Sequence, residues 1–194
     1  MLLGLGGGSM VAGLQHKCFN RSTRRHRRAA AGVQGCVITA VEVDPAVVGI
    51  AKRFFMSGTD GTGDEELTRF IVADAADFVM QQAPLGGYDV IVNDVYDRHG
   101  VMPPRLKDAM FYGQVRRLLS AGGVYVVNAV APAWGPGNGR GDLSVAVAAM
   151  REAFGPGNVE VRRTGPFVPG FPQNQLVVGT RRMDKRAADY FNLA

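Results

Sequence analysis

The feature that most constrains this chain stands at its start. An apolar run, Met1-Leu2-Leu3-Gly4-Leu5, enters the triple glycine Gly6-Gly7-Gly8 and passes at once into Ser9-Met10. A short strand, a glycine bend and helix-compatible residues read as the strand-to-helix turn of an open α/β sheet. Glycine takes positive φ without strain and has no Cβ to keep a ligand off the backbone. The helix behind the bend is expected over Ser9–Cys18, with Met10, Val11 and Leu14 on its apolar side. Its free N–H groups and positive dipole end face whatever occupies the turn.

The rest of the chain repeats the alternation. After a loop over Phe19–Gly35, the β-branched run Cys36–Val43 reads as strand two, with Glu42 and Asp44 at its end and Pro45 suited to a first helical turn. Helical spacing predicts a helix over Ala46–Phe55, and Ser57–Glu66 reads as a surface loop. Arg69–Ala73 is strand three, followed by Asp74 and a helix through Gln81; Tyr88–Asn93 is strand four. Ala109–Leu119 is the heart of the next helix, which Ala121-Gly122-Gly123 is expected to close before strand five, Val124–Val130. A helix over Leu143–Phe154 precedes a final antiparallel pair, Val159–Arg163 and Gln175–Thr180. Strands alternating with amphipathic helices give a doubly wound, mostly parallel α/β sheet with an antiparallel last strand and helices on both faces. Val90-Ile91-Val92 suits a parallel strand buried on both sides.

A length of 194 residues suits one domain, and 46% hydrophobic with 20% charged residues suits a soluble globular one. The abrupt first strand suggests that an N-terminal segment is missing. Cys18 and Cys36 have neither disulfide-framework nor zinc-site spacing. No leader pattern and no apolar run near the ~20 residues of a membrane span are present, so a cytoplasmic protein without a membrane partner is expected. The net charge of +5 is concentrated in Arg21-Ser22-Thr23-Arg24-Arg25-His26-Arg27-Arg28. Without interleaved aromatics this block offers no stacking platform for nucleic acid and reads as a solvated loop able to attract acidic partners.

Four acids carry the chemistry. Glu42 and Asp74 close strands two and three on the edge of the glycine turn, where open α/β sheets bind ligands. Glu42 suits both hydroxyls of a ribose, and Asp74 suits an adenine amino group. Asp44 and Asp74 also read as helix caps. Asp94 and Asp97 follow strand four in Asn93-Asp94-Val95-Tyr96-Asp97. Close carboxylates favour a cation between them, such as a sulfonium or an amine, and a carboxylate can take the proton of an attacking amine. Asp97 reads equally as a solvated loop acid.

Gly4-Leu5-Gly6-Gly7-Gly8-Ser9, Val41-Glu42-Val43-Asp44-Pro45, Ala73-Asp74-Ala75 and Tyr88-Asp89-Val90-Ile91-Val92-Asn93-Asp94 resemble the four ordered motifs of class I S-adenosylmethionine-dependent methyltransferases, in particular the spermidine-synthase-like branch. The likeness extends through Phe111-Tyr112 and Gly122-Gly123-Val124. It implies a single Rossmann-like domain whose nucleoside is held by Gly4, Gly6, Gly7, Gly8, Glu42, Val43, Asp74, Ala75 and Asp94, with Asp94 and Asp97 as catalytic acids and no metal.

Departures from polyamine synthases are Ser9-Met10 where those enzymes carry an acid, Arg98 where they carry proline, and the absence of their N-terminal β-domain. The reading these favour is a methyltransferase using S-adenosyl-L-methionine on an amine of a protein or small molecule. The alternatives are an aminopropyltransferase using decarboxylated S-adenosylmethionine and a non-catalytic interaction domain. An uncovered apolar face would be met by a homodimer or a partner chain.

Overall fold

The computed structural model describes residues 1–15, 37–55, 68–82, 86–131, 140–164 and 173–182. The expectations for the basic block, for Cys18 and Cys36, and for the loop Ser57–Glu66 lie outside these residues. The chain forms two compact units, Met1–Ala75 and Ala76–Ala194.

In the first unit, β1 (Leu2–Leu3), β2 (Ile38–Glu42) and β3 (Thr68–Val72) lie in the order β3-β2-β1 and run parallel. β1 is shorter than the expected Met1–Leu5, because at Gly4 the backbone already takes φ 83°. Helix α1 occupies residues 9–15 of the described chain. Of its expected apolar side only Val11 is fully buried; Leu14 is 36% exposed. The core is aliphatic, built from Leu2, Leu3, Leu5, Ile38, Val41 and Val48.

Helix α2 (Pro45–Ile50) is capped as its sequence suggests, with Asp44 Oδ1 accepting the Ala46 N–H at 2.8 Å and proline in the first turn. It does not continue as α-helix to Phe55. Ala51–Phe55 winds as a π-turn, and in a turn closed by i→i+5 bonds a residue three positions on no longer returns to the same face. Ala51 is therefore buried, whereas Phe54 is 63% exposed.

In the second unit, β4 (Tyr88–Asn93), β5 (Leu119–Ala131), β6 (Val159–Arg163) and β7 (Gln173–Thr180) lie in the order β4-β5-β7-β6. β4 and β5 pair parallel; β7 runs antiparallel to both β5 and β6. Helix α3 (Ala75–Gln81) starts at the boundary between the units, and α4 (Ala109–Leu118) and α5 (Arg140–Phe154) pack together in the second. Its core is an aromatic chain. Phe111 meets Tyr112 edge-on at 5.8 Å, Tyr112 lies 5.9 Å from Tyr125, and Tyr125 stacks on Phe154 at 6.2 Å.

Two local expectations are corrected here. The glycine pair does not close α4: the chain turns extended at Leu119, and Gly122-Gly123 lie inside β5, where the register against β4 shifts from Tyr88↔Leu119 to Val90↔Val124. Bulges of this kind suit glycine, since the extra residues need positive φ or close backbone approach, and Gly122 has φ 81°. The second correction concerns Val90, which is 48% exposed, so β4 is not covered on both faces at that position. The mostly parallel α/β class, with antiparallel pairing confined to the last strands, is the one the sequence predicts. No helix among the described residues is long and apolar enough to cross a membrane.

Candidate functional site

The glycine turn and the acids of the first unit come together at the carboxyl ends of its three strands. Gly4, Gly6 and Gly8 all take positive φ, at 83°, 51° and 76°. The turn is tied down at both sides: Gly4 N–H donates to the Val41 carbonyl at 2.9 Å, and Gly8 N–H to the Leu5 carbonyl at 3.0 Å. The Gly8 carbonyl then accepts from Ala12 N–H and so opens α1. Gly6 and Gly7 are exposed, and a Cβ built on Gly6 would meet nothing within 4 Å. The outer side of the bend is open.

Glu42 reaches this bend. Its Oε2 accepts the N–H of Leu5, between Gly4 and Gly6, at 3.0 Å, and its Oε1 accepts the N–H of Asp44 at 3.1 Å. The carboxylate is half-buried, and two donors hold its plane. Each oxygen keeps a lone pair, so the group can still accept from a vicinal diol. The Glu42 backbone carbonyl takes the N–H of Ala73 at 3.0 Å, which brings the next acid, Asp74, to the neighbouring strand end. Asp74 and Val43 are exposed, whereas Ala75, at the start of α3, is buried. Glycine turn, anchored Glu42 carboxylate and second acid thus share one edge. These residues fit a nucleoside: an open bend, an oriented carboxylate and exposed groups beyond it.

In the second unit, Asp94 and Asp97 lie beyond β4 and differ in their surroundings. Asn93 ends the strand fully buried; its Nδ2 donates to Tyr125 Oη at 2.9 Å and its Oδ1 accepts Val95 N–H at 3.2 Å. The turn carrying Asp94 is therefore anchored to the aromatic core. Asp94 is half-buried, and its Oδ1 accepts from Asn128 Nδ2 on β5 at 2.9 Å. Tyr96 Oη donates to the Asn128 backbone carbonyl. Asp97 is exposed and builds its own loop: Oδ1 accepts from His99 N–H at 2.8 Å and Val101 N–H at 2.9 Å. The hydrogen bond donated by the Val101 N–H is the main cause that holds the Asp97 carboxyl below its ordinary range, with the His99 N–H and charge and the Arg98 charge adding to it.

Asn93 and Asn128 are the polar residues whose roles the sequence reading missed. The available signal was an amide in an apolar strand, as in Val126-Val127-Asn128-Ala129, since a polar group placed among buried neighbours needs a partner. Among the described residues no cluster of His, Cys, Asp or Glu is arranged to hold a metal ion.

An open glycine bend next to a strand-end carboxylate, at the carboxyl ends of parallel strands, marks a doubly wound α/β protein. Comparison with known proteins narrows this class: the spermine/spermidine synthase domain matches residues 6–135, and the chain belongs to that family. The polyamine aminopropyltransferase of Mycobacterium tuberculosis is 31% identical over 96 residues, 49% of this chain and 18% of that protein. That of Thermoplasma acidophilum is 28% identical over 135 residues, 70% of this chain and 45% of the relative. The chain thus spans less than half the length of these curated relatives. Among solved structures, spermidine synthase from Thermotoga maritima superposes with a TM-score of 0.60 at 17% identity, covering 94% of this chain and 53% of the other. A probable spermidine synthase from Corynebacterium glutamicum gives 0.57 at 25% identity, covering 73% and 46%. These four relatives carry the names of aminopropyltransferases or spermidine synthases, and none that of a methyltransferase.

Proposed function

We propose that this chain is the nucleoside-binding part of an aminopropyltransferase that moves an aminopropyl group from decarboxylated S-adenosylmethionine to an amine. The observation that carries the reading is the Glu42 carboxylate, held at the open glycine bend by Leu5 N–H, in a chain of the spermine/spermidine synthase family. The preference for S-adenosyl-L-methionine as donor is given up on the strength of the relatives. The donor supplies a sulfonium-bound carbon; the amine lone pair forms a new C–N bond there while the C–S pair returns to sulfur as a neutral thioether.

The chain's residues do the rest. Gly4, Gly6, Gly7 and Gly8 leave the bend free for the nucleoside, Glu42 accepts its ribose hydroxyls, and Asp74 with Val43 and Ala75 meets the base. Asp94 holds the amine and takes the proton that the new bond displaces; Asp97 shapes the approach and adds negative charge. An amine-bearing substrate, small molecule or protein, in the cytoplasm is the matching acceptor. Positioning and desolvation supply most of the rate.

Titration calorimetry with the two nucleosides tests this. The decarboxylated form should bind more tightly than S-adenosyl-L-methionine, and Glu42→Gln should weaken both by about 10–100-fold, the worth of a charged hydrogen-bond acceptor. Preference for S-adenosyl-L-methionine would restore methyl transfer. That second reading has two residue departures in its favour, Ser9-Met10 where polyamine synthases carry an acid after the glycines and Arg98 where they carry proline. No affinity for either would leave a non-catalytic interaction domain.

A further inference from the structure

The side chain of Asn128 has two ends with opposite fates. Its Nδ2 donates to Asp94 Oδ1 at 2.9 Å, while its Oδ1 is buried and has no hydrogen-bond partner among the described residues. An ionised carboxylate only accepts, so the amide must turn its N–H₂ toward Asp94 and its carbonyl away. Turning it over would set two acceptors against each other. The orphan carbonyl oxygen is thus the cost of presenting a donor to Asp94, and a buried polar atom left unpaired calls for a reason.

The backbone puts the amide there by register. Asn93 pairs with Val127, so Asn128, the next residue of β5, stands level with Asp94, the first residue past the end of β4. Asn128 is itself held: its carbonyl accepts from Tyr96 Oη, and on its other side it pairs with Leu176 of β7. Among the described residues the Asp94 carboxylate makes this one hydrogen bond, which leaves Oδ2 as its second acceptor.

We propose that Asn128 is a positioning residue that fixes the Asp94 carboxylate and decides which of its oxygens meets the acceptor amine. The claim rests on the functional reading above for the amine, but not for the geometry. Holding Oδ1 restrains rotation about the Cβ–Cγ bond. Oδ2 is then aimed in one direction, as a carboxylate that must receive a proton along a defined line requires. Asn128 touches no substrate in this scheme; it acts through Asp94.

Four measurements on the whole chain, wild type and Asn128→Leu, test it. Leucine keeps the volume roughly and removes both the donor and the orphan. In the variant loaded with 5′-methylthioadenosine, affinity for 1,4-diaminobutane should fall at least 10-fold, nucleoside affinity should stay within twofold, and the thermal midpoint should hold or rise. A crystal structure of the variant should show Asp94 spread over more than one rotamer. Diamine affinity within twofold of wild type, or Asp94 still in a single wild-type rotamer, overturns the proposal. A lower midpoint with unchanged diamine affinity makes Asn128 a core residue only and overturns it as well. Should Asn128→Leu not fold, Asn128→Asp replaces it: the shape is kept, the donor becomes an acceptor, and the same loss of diamine affinity is expected. If wild type binds nucleoside but no diamine, the functional reading fails, and the Asp94 rotamer alone decides the positioning.

Discussion

At the scale of single residues, the polar atoms inside the second unit separate into those with a task and those without. Asn93 satisfies both ends of its amide on Tyr125 and Val95. The Tyr112 hydroxyl, by contrast, is buried with no partner among the described residues, and burial, with Asp108 adding, pushes its ionisation well above the ordinary range. It is a neutral hydroxyl in an aromatic core, carrying a desolvation cost with no bond to offset it. Tyr112→Phe should therefore leave stability unchanged or raise it by up to about 1 kcal/mol, in contrast to the usual loss on removing a bonded hydroxyl. Chemical denaturation measures this, and a loss above about 1 kcal/mol would mean that the hydroxyl has an unseen partner.

Secondary-structure elements are decided here by two backbone devices. At the bulge of β5, a Cβ on Gly123 would lie 2.9 Å from the Ser120 carbonyl oxygen and 3.0 Å from that of Tyr88. These are backbone atoms and cannot swing aside. Gly123→Ala should cost about 1–3 kcal/mol, read as a lower urea midpoint at an unchanged slope; a midpoint equal to wild type would refute the packing argument.

The second device is the loop that follows β4. Because the Asp97 carboxyl is held below its ordinary 3.8 by the Val101 and His99 amides, the loop's stabilisation is fully present above that value. It is lost as the pH falls through the lower folded value. The amide proton shifts of His99 and Val101 should titrate with a midpoint below 3.8 and stop titrating in Asp97→Asn. A midpoint at or above 3.8 would contradict the assignment.

For the whole molecule the expectation is a linkage effect. A nucleoside that binds only the folded chain adds about 2.7 kcal/mol at a hundredfold excess over its Kd, which for a chain of this size means a rise of about 5–10 °C in Tm. Differential scanning calorimetry reads it. No shift under saturating decarboxylated S-adenosylmethionine would argue against the nucleoside site, whatever the family resemblance.

The sequence by itself determined the order and type of most elements, the class of fold and the acids at the strand ends. Each of these is written in a local pattern: β-branched runs, helical spacing, glycines at a bend, an acid before proline. Tyr88–Asn93 coincides with β4, and Asp44 caps α2 as its place before Pro45 implies. Tertiary structure alone decided what depends on register and burial. The π-turn takes Phe54 away from the core, β7 enters between β5 and β6, and Gly123 serves a bulge rather than a helix end. The pairing of Asp94 with Asn128, 34 positions apart, belongs to the same group. No local pattern encodes such meetings, because strand register is set by which side chains can share a buried face.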